Sequence, residues 1–396
     1  MPDQFEKLLN EAQESKDWII QLRRRLHRHP ELMYEEVKTS QVVRETLDEL
    51  NISYRSPIAQ TGVLATLGNG RQPCVALRAD MDALPIQEEA DIDFRSQTDG
   101  KMHACGHDCH TSMLLGAARV LKKYENQING TVKLLFQPAE EGGAGGKRMT
   151  QEGALQNPDV DKIFGIHVWP LLPTGSIGSR PGTFLAAAGS FEITVHGKGG
   201  HAAFPHECVD PIVTASQIVN QLQTIISRET DPLDAGVISV STIHGGDAHN
   251  VIPPSVRFTG TIRALTVQKF GQLQTRLGEI AQAVAQGHGC EVDLEFPDEP
   301  YPPTINDASL WQEVRHFSED LLGPEKVEEL SPVMGGEDFA FYTEHVPGCF
   351  VALGVRNEDI GAIYHVHHPK FKVDEAALPI GAALHACFAL NHVSSS

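Results

Sequence analysis

Apolar residues recur at helical spacing over residues 17–28, where Ile19, Ile20, Leu22 and Leu26 share one stripe ahead of Pro30, and again at Val42, Val43, Leu47 and Leu50. The pattern then shortens. Residues 75–77, 132–136, 163–166 and 350–353 are compact apolar runs, as strands buried on both faces require. Between the first two runs, residues 112–124 return to helical spacing through Leu114, Leu115, Ala118 and Leu121. This alternation predicts an α/β domain whose largely parallel sheet is flanked by helices.

From about Phe191 the rhythm becomes strand (191–196), helix (209–228), strand (236–243), strand (256–263), helix (266–287) and strand (290–296). That βαββαβ order predicts a ferredoxin-like α+β sandwich. The glycine- and proline-bearing stretch 175–182 marks its entry, and Pro297, Pro300, Pro302 and Pro303 mark its exit. The expectation is an inserted domain over residues 186–299, interrupting a discontinuous domain of residues 1–185 and 300–396. A chain of 396 residues exceeds the roughly 100–200 residues of a single domain.

Composition narrows the function. With 41% hydrophobic and 21% charged residues, the chain has enough apolar surface for a sizeable core. Its formal charge is −20, from 52 acidic against 32 basic residues, which disfavours nucleic acid and anionic lipid as partners. Residues 1–7 are polar and show no secretory or transit leader, and no uninterrupted apolar run reaches about 18 residues. Seven scattered cysteines, an odd number, do not form a disulfide framework. A reducing, cytoplasmic setting suits them.

Chemistry-bearing residues follow the carboxyl ends of the predicted parallel strands, where open α/β sheets bind ligands. Asp80 and Asp82 follow the first strand, Glu140 and Glu141 the second, and His167 ends the third. His103-Ala104-Cys105-Gly106-His107-Asp108-Cys109-His110 lies just ahead of the helix from Ser112, where a turn at Gly106 can aim Cys105 and His107 inward together. Thiolate and imidazole suit zinc and related first-row divalent ions. A zinc knuckle is not available, because Cys105 and Cys109 are four apart with no second pair downstream. Adjacent Glu140 and Glu141 can point in different directions, one to bind a metal and the other to handle protons. The glycine tract 142–147 fails as a P-loop, since Glu141 and Arg148 occupy positions that need Gly and Ser or Thr. Tyr364-His365-Val366-His367-His368-Pro369 offers further imidazoles, among which spacing does not choose. In the inserted domain, glycine-flanked His201 and the loop bearing His249 and Asn250 are candidates for ligand contact.

These segments together resemble the amidohydrolase family of hippurate hydrolases, indole-acetyl amino acid hydrolases and N-acetyl-diaminopimelate deacetylases, within the aminoacylase-like and carboxypeptidase-like metallopeptidases. The resemblance rests on Arg-Ala-Asp-Met-Asp-Ala-Leu-Pro at 78–85, Cys-Gly-His at 105–107, Pro-Ala-Glu-Glu-Gly-Gly at 138–143, Gly-Gly-His-Ala-Ala at 199–203, Gly-Gly-Glu-Asp-Phe at 335–339 and the final His-His-Pro. It implies two divalent metal ions per subunit (Mn, Zn, Ni or Co), with Cys105 bridging and His107, Glu141, His167 and His367 completing the ligands. It further implies Glu140 as general base, Asp82 as the residue orienting His107, and His201 as an oxyanion donor reaching a partner subunit's site. Asn250 and Arg263 are implied to contact the substrate carboxylate, in a homodimer built through the inserted domain. Two departures stand out. Asp80-x-Asp82 replaces the His-x-Asp of the wider group, and His-His-Pro replaces the commoner His-Ser-Pro, which leaves His368 as an alternative to His367. The implied reaction is hydrolysis of the amide bond of small N-acyl amino acids. A carboxypeptidase or dipeptidase of the same clan, and an inactive ligand-binding relative, are the rivals.

Overall fold

A computed structural model describes residues 2–394, which divide into two compact units. Of the described residues, the first comprises 2–184, 305–331 and 338–394, and the second 185–304 and 332–337.

An eight-stranded sheet organises the first unit. Its centre is four parallel strands in the spatial order Thr131–Gln137, Cys74–Asp80, Lys162–Pro173 and Gly348–Arg356. These contain the four apolar runs seen in the sequence, and Cys74–Asp80 and Thr131–Gln137 are buried along their whole length. Gly62–Gly68 and Ser53–Ile58 add antiparallel to one side, and Ile177–Ser179 and Val327–Glu329 extend the other. From Cys74–Asp80 the chain crosses to one neighbour, Thr131–Gln137, and then to the other, Lys162–Pro173. The carboxyl end of Cys74–Asp80 is therefore a point where the strand order switches, and such points open a crevice.

The helix His107–Lys123 packs against Lys16–His27 and against the last helix, Leu378–Val393. By length and composition the segment Glu375–Val393 could cross a membrane, but 78% of its apolar window is buried within the fold, so it serves as a core helix. On Thr131–Gln137, Lys133 is buried, and its ammonium donates to the carbonyls of Ala154, Gln156 and Pro158 at 3.2, 2.7 and 2.9 Å.

Two local expectations change. The helix begins at His107 rather than near Ser112, because Gly106 takes φ 90° as its N-cap and residues 107–118 are buried all round, which removes the one-sided stripe that marks a surface helix. His167 does not end its strand, which runs on to Pro173. Pairing with Cys74–Asp80 stops at Gly165, so His167 lies just beyond the end of its neighbour on that side.

The second unit carries a four-stranded antiparallel sheet in the order Gly236–His244, Ser255–Ala264, Ala187–His196 and Glu291–Glu295. With the helices Pro211–Thr224 and Val267–Gly287 this is the βαββαβ sandwich expected from the sequence. Asp210 caps the first helix by accepting from the N–H groups of Ile212 and Val213, with Pro211 as its first residue, and Thr266 caps the second. Phe191, Ile193, Phe258, Ile262, Leu273 and Leu277 form its core.

Candidate metal centre

Gly106 is the hinge on which the site is built. Its φ of 90° turns the chain into the helix, and a Cβ there would meet Val168 Cγ2 at 2.4 Å. The turn sets Cys105 and His107, 8% and 0% exposed, on either side of a bend at the mouth of the sheet. His367 arrives from the far end of the chain. Its backbone is also left-handed, at φ 65°, and its N–H donates to the carbonyl of Ala104 at 2.8 Å, which docks it beside Cys105.

Three groups of donor atoms result, each with its members within 4.8 Å of one another: Cys105, His107 and His167; Cys105, Glu141 and His367; and His107, Glu140 and Glu141. The first two share Cys105. Cys105 Sγ lies 3.3 Å from His167 Nε2, and Glu141 Oε1 lies 3.1 Å from His367 Nε2 without a hydrogen bond between them. His107 Nε2 is buried and has no hydrogen-bond partner among the described residues, although Asp80 Oδ2 and Glu140 Oε2 stand 3.8 and 4.0 Å away. A buried imidazole nitrogen facing carboxylates and a thiol fits a divalent cation, which would take the place of a proton there.

Second partners fix which ring nitrogen faces inward. His167 Nδ1–H donates to the carbonyl of Val168 at 2.8 Å, which turns the Nε2 lone pair towards Cys105 Sγ. Burial, and then His110, holds the His167 imidazole well below its usual range, so it stays neutral and ligand-competent. His107 Nδ1 is 3.2 Å from Asp82 Oδ1. Burial opposes charge on His107, but Asp80 and Asp82, with Glu141, outweigh it and raise its pKa to about 10, the mark of a site that attracts positive charge. Asp82 does more than orient His107. Its two oxygens also accept the N–H groups of Glu140 and Glu141 at 3.0 and 2.9 Å, so one carboxylate aligns an imidazole and the paired glutamates.

Asp80, His107 and His110 also lie close together, but both His110 nitrogens are in use. Nε2 accepts the Val168 N–H at 2.9 Å, so Nδ1 carries the proton and donates to Asp80 at 2.6 Å. Asp80 in turn accepts from buried Arg78 at 2.6 Å, and Arg78 also reaches Gln137 and Asp338. Asp80 and His110 thus act as struts behind His107 and His167. The sequence placed His110 in the dense cluster without a role, since only the fold brings it against Asp80 and Val168. His368 is occupied elsewhere. Its ring stacks on Tyr364 and its Nδ1 accepts the Lys370 N–H at 3.0 Å.

His201, Asn250 and Arg263 belong to the second unit. His201 and Asn250 come together on an exposed lobe, where His201 pairs with Val251 and Asn250 O accepts the Ala202 N–H. Arg263 does not join them. It sits near the far end of Ser255–Ala264, about 26 Å along the strand from Ser255, with Nε donating to Thr261 Oγ1 at 3.0 Å.

With this geometry in view, comparison with known proteins assigns the family. Residues 76–391 match Peptidase family M20/M25/M40. The chain belongs to this family. It is 48% identical over 380 residues to IAA-amino acid hydrolase ILR1-like 2 of Arabidopsis thaliana, spanning 95% of this chain and 85% of that one. It is 42% identical over 391 residues to thermostable carboxypeptidase 2 of Saccharolobus solfataricus, spanning 98% of each. Among solved structures it is similar to a Bacillus subtilis protein described as a dinuclear metal-binding peptidase from the M20 family, with a TM-score of 0.81 and 34% identity across 96% of this chain and 98% of that one. Membership in the M20 family makes the protein a hydrolase of amide bonds.

Proposed function

We propose that this M20-family protein hydrolyses the amide bond of N-acyl amino acids, releasing a carboxylic acid and a free amino acid, with two divalent cations held by Cys105, His107, Glu141, His167 and His367. One observation carries the reading: two donor groups share the Cys105 sulfur, and Glu140 stands beside them. Bound there, such cations would polarise the acyl carbonyl and bring the acidity of a water towards neutrality. Buried Glu140 takes a proton from the attacking water and delivers it to the nitrogen of the departing amino acid as the C–N bond breaks. Asp82 keeps Glu140, Glu141 and His107 in register by its three contacts.

His201 donates to the oxygen that gains negative charge, and Asn250 with Arg263 receives the substrate's carboxylate. Their separation within one second unit supports a homodimer in which one subunit supplies His201 and the other supplies Arg263. Residues 186–299 would then be the dimerisation and lid domain, and residues 1–185 and 300–396 the catalytic one. A cytoplasmic setting fits seven cysteines of which none is in a disulfide.

The test is hydrolysis of acetyl-, benzoyl- and indole-acetyl-amino acids by protein reconstituted with Mn, Zn, Ni or Co, with and without chelator. Absence of turnover with every metal and acyl group would leave only an inactive binding protein. The carboxypeptidase or dipeptidase reading has support in the Saccharolobus relative, and faster cleavage of free dipeptides than of N-benzoyl-glycine would favour it.

A further inference from the structure

Opposite Asp82, the turn that carries Glu140 is gripped by a second segment. Glu36 is fully buried, and although it stands at the start of the helix Val37–Glu49, its carboxylate does not cap that helix. Its Oε1 accepts the N–H of Ala139 and the N–H of Tyr34, both at 2.9 Å, and its Oε2 accepts the Thr61 hydroxyl at 2.6 Å. Tyr34 and Ala139 are both left-handed, at φ 63° and 56°, a conformation that residues with a Cβ rarely adopt. One oxygen therefore holds two unfavourable backbone bends together. The Tyr34 hydroxyl then donates to the carbonyl of Gly143 at 2.6 Å. The ring lies so close that a Cβ on Gly143 would meet Tyr34 Cε2 at 2.9 Å and the Ala139 Cβ at 2.6 Å.

The turn from Ala139 to Gly143 is thus held at both ends by Tyr34 and Glu36 and in the middle by Asp82. We infer that Tyr34 and Glu36 form a clamp that positions Glu140 for proton transfer, by keeping Ala139 in its left-handed conformation and pinning the exit of the turn at Gly143. They are positioning residues, since each reaches the turn's backbone rather than the donor atoms. The inference rests on the proposed role of Glu140. Without the clamp, Ala139 is free to return to an ordinary conformation, and rotation there re-aims the glutamate that follows it.

The experiment uses the full chain loaded with metal and an N-acyl amino acid that the unaltered protein cleaves. Glu36→Ala is expected to lower kcat roughly 100-fold and Tyr34→Phe roughly ten-fold, with little change in KM and with metal content retained. Two rescues separate positioning from general damage. Glu36→Gln should keep most of the rate, because an amide oxygen still accepts both N–H groups while its NH2 faces Thr61. Ala139→Gly placed in the Glu36→Ala chain should recover much of the loss, because glycine takes the left-handed bend unaided. Full kcat in both Glu36→Ala and Tyr34→Phe, alongside an inactive Glu140→Gln, would overturn the clamp and leave the role of Glu140 standing. A loss in Glu36→Ala that Ala139→Gly does not relieve would also overturn it. If Glu36→Ala does not fold, an undiminished kcat in Tyr34→Phe decides against the clamp. An inert unaltered chain, or a fully active Glu140→Gln, would remove the proton role and the clamp with it.

Discussion

The two donor groups that meet at Cys105 are built differently. Cys105, His107 and His167 are buried, and the ring orientations of the two histidines are fixed by Asp82 and by the Val168 carbonyl. In the other group the His367 side chain is 50% exposed and is carried by a strained loop, and Glu141 is only partly covered. A donor set arranged before binding loses little freedom when a cation arrives, whereas an exposed imidazole has to be ordered at that moment. The inner half should therefore hold its cation more tightly, and the outer half should exchange its cation with solvent and admit substrate.

The most severe way to test this contrast is to remove what the halves share. Cys105→Ser is expected to lose both cations and to reduce turnover by about 1,000-fold or more, as measured by elemental analysis beside an amide hydrolysis assay. A variant that keeps one full equivalent of metal would show that the sulfur belongs to only one half. Glu140→Gln should cost about 10² to 10⁴ in kcat while both cations stay bound, separating proton handling from metal binding. Limited chelation should next strip the outer half alone, leaving about one cation per chain. His367→Ala should imitate that state with a roughly 10- to 100-fold loss of metal affinity at one site, while His167→Ala should damage the tighter one. Equal loss from both sites in a chelator titration would erase the distinction. The smallest effect is expected at His368→Ala, with turnover within about two-fold of normal, because its ring is engaged with Tyr364 and Lys370. A large effect there would move the outer ligand from His367 to its neighbour.

The centre of the fold was legible because a strand buried on both faces must be apolar throughout. Ser53–Ile58 was not, since it is exposed on alternate residues and interrupted by Pro57, and Ile177–Ser179 and Val327–Glu329 are too short to form a pattern. The last helix, Leu378–Val393, is apolar around nearly its whole circumference and so offered no stripe to read. In the site, Cys105, His107 and Glu141 were visible because residues with unusual chemistry crowd into short motifs. The grips on them were not. Glu36 and Tyr34 lie about 100 residues before the turn they hold, and His110 meets Asp80 only once a helix and a strand have packed. Local pattern carries the identity of a donor, while its aim comes from contacts that only the folded chain makes.

Lys133 points to a different kind of economy. Its ammonium satisfies three carbonyls that converge as they would around a dissolved potassium or sodium ion, on the same strand that leads to Glu140. The chain thus carries its own monovalent cation on a covalent stalk, at fixed stoichiometry. The carbonyls of Ala154, Gln156 and Pro158 find their donor within the chain rather than in a bound ion.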